Sequence, residues 1–142
     1  MGRGQVSVEH LFILSLAIMI LVPGTLLFQT YARGASQDII ESQVDRIGNE
    51  MINTAETVYI LGADSRLVIS ISIPAAVTGI GIKGDELLIN YTTVEGPSQA
   101  IFFAESSIEP EFPEGIFQEF HTGPANLRIQ STGAVVRIGE IA

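Results

Sequence analysis

The carboxylate under the clearest chemical constraint in this sequence is that of Glu9, near the amino terminus. It lies two residues ahead of an apolar run from Leu11 to Phe28, and no Asp, Glu, Lys or Arg follows until Arg33. An ionised side chain costs about 2.5–3.5 kcal/mol at the centre of a bilayer and less near the headgroups. Where the apolar run is buried, Glu9 must therefore stay near the headgroups or be paired or neutralised.

Groups suited to catalysis are few elsewhere. The two histidines, His10 and His121, have no nucleophile or carboxylate at a recognisable motif spacing. The glycines of residues 79–84 resemble a phosphate-binding loop only in number, because they fall in a strand pattern with no helix behind them. We therefore expect no enzymatic activity and no cofactor, and we interpret His10 as a polar residue at the membrane interface.

Five glutamates make the segment of residues 105–122 acidic: Glu105, Glu109, Glu111, Glu114 and Glu119. Such oxygen ligands could collect Ca²⁺. The segment lacks an Asp-x-Asp-x-Asp-Gly spacing, however, and loops of like charge are usually solvated, so we expect no metal site. Three phenylalanines are predicted instead to fix the segment to a sheet or to contact a neighbouring subunit: Phe112, Phe117 and Phe120.

An N-glycosylation acceptor triplet, Asn90-Tyr91-Thr92, occurs once in the chain. It falls within a predicted strand, where only an outward-facing asparagine can be modified. Triplets of this kind also arise by chance. Two interpretations therefore stay open, a glycan on an extracellular domain and an unmodified strand residue.

The apolar run predicts a membrane-spanning helix. At about 1.5 Å per residue, a helix over residues 11–32 is roughly 33 Å long, enough to cross a hydrocarbon core of about 30 Å. Pro23 and Gly24 interrupt the run and predict a bend or a local loosening. Membrane helices tolerate such pairs, and a role of the pair in assembly is the second interpretation.

The residues ahead of this helix differ from a secretory signal. Such a signal has a basic leader, an apolar stretch of about 7–15 residues, and small residues behind it for cleavage. Here the leader is only residues 1–4, and polar residues separate it from the apolar run. Small residues flank Arg33, but the helical pattern continues through that point, so removal of the run is disfavoured.

Gly4 followed by Gln5-x-Ser7-x-Glu9-x-Leu11 resembles the class III signal peptide of archaeal type IV pilin-like proteins. The resemblance is specific over the first dozen residues and the apolar run. Over the rest of the chain it is architectural, a long amino-terminal helix followed by a small β-rich head. Bacterial type IV pilins usually carry Phe where this chain has Gln5, so N-methylation as in bacteria is not implied.

The resemblance implies that a prepilin peptidase cuts immediately before Gln5. The apolar helix, from Leu11 through Pro23 and Gly24, would stay on the mature subunit and form the core of a homopolymeric filament. A pilus assembly ATPase and its membrane platform are the further partners implied. Glu9 is then the fifth residue of the mature chain, where type IV pilins place a Glu, and its implied partner is the new amine at Gln5 of an adjacent subunit.

Glu9 also has a simpler interpretation, as a helix-start residue that favours the positive end of the helix dipole by about 0.3–1 kcal/mol.

The charge of the chain is acidic and unevenly placed. Beyond Gly34 there are 15 Asp and Glu against 5 Lys and Arg, a balance of 5 − 15 = −10. This excludes a basic footprint for nucleic acid or for anionic headgroups. The short leader favours a cytoplasmic amino terminus, which places the acidic head outside the cell. With no cysteine, the head must be held by its core or by neighbouring subunits.

The chain of 142 residues has room for one modest globular domain besides the membrane helix, and its pattern predicts an α+β fold. One helical stripe predicts a second, amphipathic half of the helix that ends near Gly62: Ile40, Val44, Ile47, Met51, Ala55 and Val58. Behind it, strand patterns cover residues 66–73, 79–83, 86–94, 98–104, 126–130 and 134–138. We expect an antiparallel sheet of about four to six strands packed on the helix.

The predicted domains are a leader of residues 1–4, a long helix of residues 5–62 that is apolar over 11–32, and a β-rich extracellular head of residues 63–142. The interpretation these features favour is a structural subunit of a type IV pilus-like adhesion filament, inserted in the membrane before assembly. The alternative is an uncleaved, single-pass membrane anchor with an extracellular binding domain. An anchor has no need of the polar Gln-x-Ser-x-Glu segment. A membrane-bound enzyme is disfavoured by the missing motifs.

Overall fold

The computed structural model describes the backbone of residues 2–141 and the side chains of residues 7–141. Its first element is a helix, α1, which spans Gly2–Leu61. Residues up to Gln37 form one unit, and residues from Asp38 onward form a second. The boundary between the two units therefore falls within the sequence of α1.

The first unit consists of helix alone and has no core of its own. Every side chain described from residue 7 to residue 36 is exposed. The helix continues through Pro23 and Gly24 without a break in its assignment. Whether its axis bends at this pair, as the sequence predicts, stays a prediction.

The second unit adds seven strands to the end of α1. They are β1 (Arg66–Ile73), β2 (Val77–Lys83), β3 (Glu86–Thr93), β4 (Gly96–Phe103), β5 (Ile108–Pro110), β6 (Gly123–Ser131) and β7 (Val136–Ile141). Four form a sheet in the order β1-β6-β7-β5, and three form a second sheet in the order β2-β3-β4. Only β5 runs parallel to its neighbour, β7, among the described strands.

The α+β fold is confirmed, whereas the single sheet of about four to six strands was wrong. The extra strand, β5, is three residues long and comes from the acidic segment, where no alternation of apolar residues marks it. The division into two sheets depends on which strands pair. That choice is made between residues far apart in sequence, so strand patterns alone could not predict it.

The end of α1 is set by glycine, as predicted. The helix stops at Leu61, and Gly62 follows with a φ of +96°, a left-handed conformation that glycine adopts without steric cost. The Ser65 hydroxyl donates a hydrogen bond of 2.7 Å to the carbonyl of Val58, one of the carbonyls at the helix end. This turn directs the chain into β1.

The core of the second unit lies between the amphipathic half of α1 and the inner faces of the sheets. The predicted stripe is confirmed: Val44, Ile47, Met51, Ala55 and Val58 are buried, and Ile40 packs against them at the margin. The strands contribute Ile71, Ile73, Leu87, Ile89, Leu127, Ile129 and Ile138, among others. Each such side chain contributes about 1.5–3 kcal/mol on burial, so this core stabilises the head.

The three-stranded sheet meets α1 over residues 41–48. Gly48 lies under the ring of Phe102 on β4, and a Cβ atom added at Gly48 would overlap that ring. The close approach of Phe102 therefore requires that residue 48 has no side chain. On the neighbouring strand, β3, burial and the negative charges of Glu41 and Asp45 raise the pKa of Tyr91 above 10.0.

We predict that Gly48→Ala lowers the melting temperature of a fragment of residues 36–142. Alanine favours a helix by about 1 kcal/mol over glycine, but crowding in a packed core costs about 1–3 kcal/mol. In a Phe102→Ala background, where the ring is absent, the same substitution should raise the melting temperature. Thermal unfolding followed by circular dichroism measures both. A rise in the wild-type background would contradict the packing described.

Candidate functional site

The apolar side chains of the first unit form a long exposed surface. Within residues 7–61, α1 is long and apolar enough to cross a membrane, and its most apolar part is not buried by the rest of the chain. Phe12, Met19 and Phe28 are 72%, 74% and 71% exposed. The consecutive residues 18–22 are all apolar and all more than half exposed. Five consecutive residues go around the helix more than once, so this part of α1 is apolar on every face. A helix of this kind is typical of a bilayer or of the interior of a bundle.

Three hydroxyl side chains in the apolar part of this helix donate hydrogen bonds within the helix. Ser15 donates to the carbonyl of Leu11 at 2.8 Å, and Thr25 donates to the carbonyl of Leu21 at 2.7 Å. Thr30 makes the same bond, one turn back, at 3.0 Å. Since each hydroxyl has an acceptor within its own helix, it can be buried against lipid or another helix at reduced cost.

Glu9 is the charged group at the front of this surface. Its side chain borders a shallow hollow together with Val8, Phe12 and Ile13. Phe12 and Ile13 follow Glu9 by three and four residues, which places all three on one face of the helix. No ion pair joins Glu9 to any side chain in the described part of the chain. Burial of this face would therefore bury a carboxylate that still needs a partner.

The other residues predicted for processing and assembly lie along the same helix. Ser7 and Leu11 are exposed, and Gly24 has open space around it. Gly4 and Gln5 belong to α1, but their side-chain positions lie outside the described side chains. The predicted partner of Glu9, the main-chain amine of Gln5 in an adjacent subunit, therefore stays a prediction. Phe12 and Ile13 were missed as neighbours of Glu9, although the helical spacing of three and four residues contains them.

The acidic segment is not a set of free carboxylates. Glu111 forms an ion pair with Arg128 of β6, and Glu109 lies 4.0 Å from Arg137 of β7. Among the described residues, no three acidic, His or Cys side chains form a group that could hold a metal ion. Phe117 is buried and stacks edge-to-face on Phe120, with ring centroids 5.7 Å apart. The segment is thus held by ion pairs and aromatic packing.

His121 has a carboxylate partner that its sequence neighbourhood does not show. Its Nε2 atom lies 2.6 Å from Oε1 of Glu140 on β7, and its ring packs against that of Phe117 in a T-shaped contact, with centroids 6.0 Å apart. The hydrogen bond to Glu140, helped by the carbonyl of Thr122, raises the pKa of His121 above its ordinary value of 6.5. Glu140 is 19 residues away along the chain, so no motif spacing could have indicated the pair.

Asn90 faces outward from its strand, as an asparagine must if it is to be glycosylated there. Both Asn90 and Thr92 are exposed on β3, the central strand of the three-stranded sheet. The side-chain oxygen of Asn90 accepts a hydrogen bond of 2.7 Å from Gln99 on β4. The asparagine therefore faces outward.

No family model, curated protein or solved structure matches this chain. Its function must be argued from its own residues. These show one long, apolar amino-terminal helix that could span a membrane, followed by β-sheets. Chemically, the helix can bury a continuous apolar surface that carries one carboxylate at its front.

We predict that His121 titrates with a pKa above 6.5 in a fragment of residues 36–142, which contains no other histidine. Since folding raises this pKa, the pair stabilises the fold fully below pH 6.5, and its contribution is lost as pH rises through the folded-state value. Titration by NMR measures the shift, and Glu140→Gln should return the pKa towards 6.5. Equal pKa values in the two proteins would contradict the pairing.

Proposed function

We propose that this chain is a structural subunit of a type IV pilus-like extracellular filament. In this proposal the precursor is inserted in the membrane through α1, cut before Gln5 by a prepilin peptidase, and assembled with its apolar helices inside and its acidic head outside. The observation that carries the proposal is a helix that is apolar on every face, with the carboxylate of Glu9 at its front.

The apolar surface accounts for insertion into the membrane, but not by itself for assembly. Burial from water contributes about 1.5–3 kcal/mol for each large apolar side chain. A helix that moves from lipid into a bundle of helices is already out of water, so that term is largely absent. Packing and interhelical polar contacts must then decide which arrangement forms, and in the described part of the helix Glu9 is the one acidic group ahead of the apolar run.

Pairing of Glu9 with a neighbouring subunit would determine which arrangement of the helices forms. Near the headgroups of a membrane the carboxylate can stay solvated, whereas inside a helix bundle it cannot. Cleavage before Gln5 creates a new positive amine close to the depth of Glu9. A salt bridge between this amine and the Glu9 of an adjacent subunit, offset along the axis, would neutralise both charges. A cyclised Gln5 would lack this amine.

The head is suited to the outside of such a filament. The residues beyond Gly34, which comprise the head and the second half of α1, carry a balance of −10, and like charges keep a protein soluble and disfavour close association. Repulsion between exposed charges is screened beyond about 8 Å at physiological ionic strength. Heads spaced along a filament would therefore tolerate one another, and their outer faces are the surfaces that would attach to a substratum. We infer no catalytic role for them.

We predict that Glu9→Gln abolishes or greatly reduces filaments while leaving cleavage intact. The substitution keeps the shape of the side chain and removes its charge, which would leave the amine of Gln5 buried and unpaired, at about 3–5 kcal/mol per subunit. Mass spectrometry should show both chains starting at Gln5, and electron microscopy counts the filaments. The neighbouring substitution His10→Gln is the matched control and should leave the filament number unchanged.

Two outcomes would contradict the proposal. Normal cleavage of Glu9→Gln together with wild-type numbers of filaments would rule out the pairing. A native wild-type chain that still begins at Met1, with no filaments, would instead identify a simple membrane anchor.

A further inference from the structure

The outer face of the three-stranded sheet has a distinctive composition around Asn90. Its neighbours are set by the strand register, because directly opposed residues of antiparallel strands lie on the same face. On β4, Gln99 stands opposite Asn90, and on β2 Gly79 does. The alternate residues of β3, Leu87 and Ile89, are fully buried in the core. Asn90 is therefore at the middle of the exposed face, on the central strand.

The two flanks of Asn90 differ, and the difference orients its amide. On the β4 side, the side-chain oxygen of Asn90 accepts a hydrogen bond of 2.7 Å from Nε2 of Gln99. On the β2 side there is no side chain, and a Cβ atom added at Gly79 would come no closer than 3.9 Å to the amide nitrogen. The nitrogen, which is the atom that N-glycosylation modifies, thus points over the glycine strand.

Two glycines extend this open space along β2. Gly79 and Gly81 stand opposite Asn90 and Leu88, and a Cβ atom added at Gly81 would meet nothing within 4 Å. Glycine weakens the interior of a strand, and its presence there often marks the close approach of a ligand or another backbone. On this edge strand the two glycines leave an open strip of backbone beside the amide nitrogen, which is called the trough below.

We propose that Asn90 carries an N-linked glycan whose first sugar lies in this trough. The inference rests on the proposed function, since it requires a head outside the cytoplasm. The donor is a polyprenyl phosphate-linked or diphosphate-linked oligosaccharide. A bond forms between Nδ2 of Asn90 and the anomeric carbon, the bond from that carbon to the phosphate oxygen breaks, the lipid phosphate leaves, and the amide loses one proton to the transferase.

The surroundings of the trough fit a sugar. On the same face, the half-buried Leu88 stands opposite Gly81 and so borders the trough. Sugar rings have apolar C–H faces that would cover part of this side chain, and hydroxyl groups that would stay in water along the open edge of β2. Because β3 is bonded to strands on both sides, transfer would precede closure of the sheet, and the finished glycan must fit the folded head. The glycines supply the room for it.

The modification is tested on the full chain produced in its own cells or in an N-glycosylating archaeal host. Mass spectrometry of the peptide that contains Asn90 should show a glycan on this residue. Thr92→Ala removes the acceptor triplet and should abolish the modification, whereas Thr92→Ser keeps the triplet and should retain it. An unmodified Asn90 in the wild-type protein would overturn the inference.

The position of the sugar is tested with Gly79→Val. The valine side chain would fill the trough beside the amide nitrogen, so the substitution should lower the melting temperature of the glycosylated protein. In the Thr92→Ala background, which has no glycan, valine should have no effect or raise the melting temperature because it favours a strand. Equal changes of melting temperature in the two backgrounds would show that the sugar does not lie in the trough.

A failure of this inference can be separated from a failure of the proposed function. In the same cells, added protease reports whether the head is outside, and electron microscopy reports filaments. An unmodified Asn90 on external heads of intact filaments would overturn the glycan alone. A head protected inside the cell would overturn both.

Discussion

The constraint on which the rest of the structure depends is the apolar surface of the first part of α1. Every side chain described over residues 7–36 is exposed, and the middle of this helix is apolar on every face. No arrangement of a single helix can remove such a surface from water, so it requires lipid or other helices. The internally bonded hydroxyls and the single carboxylate at the front are both consistent with that requirement.

In the second part of the same helix, the apolar surface is covered by the chain itself. There the apolar residues narrow to one stripe, and two sheets cover it. Gly48 allows Phe102 to approach the helix, and Gly62 ends it and directs the chain into β1. One helix thus joins a segment that needs external partners to a head that carries its own core. This combination is consistent with the filament subunit proposed above.

Features set by local spacing could be predicted from the sequence. The stripe from Ile40 to Val58, the stop at Gly62 and the alternation in β1 all follow from periodicity and from glycine. Features set by long-range pairing could not. The split into two sheets, the short β5 and the contacts of Glu111 with Arg128 and of His121 with Glu140 join residues that no spacing relates. The residues that flank Asn90, Gln99 on β4 and Gly79 on β2, likewise depend on the strand register.

We propose that the apolar part of α1, and not the head, is the polymerising element. The most direct measurement compares the full chain with a fragment of residues 36–142 for assembly, by electron microscopy and analytical ultracentrifugation. We expect filaments from the full chain in cells, and a soluble, monomeric fragment with mixed helix and strand in circular dichroism. Regular filaments formed by the fragment alone would show that the head polymerises without the apolar helix.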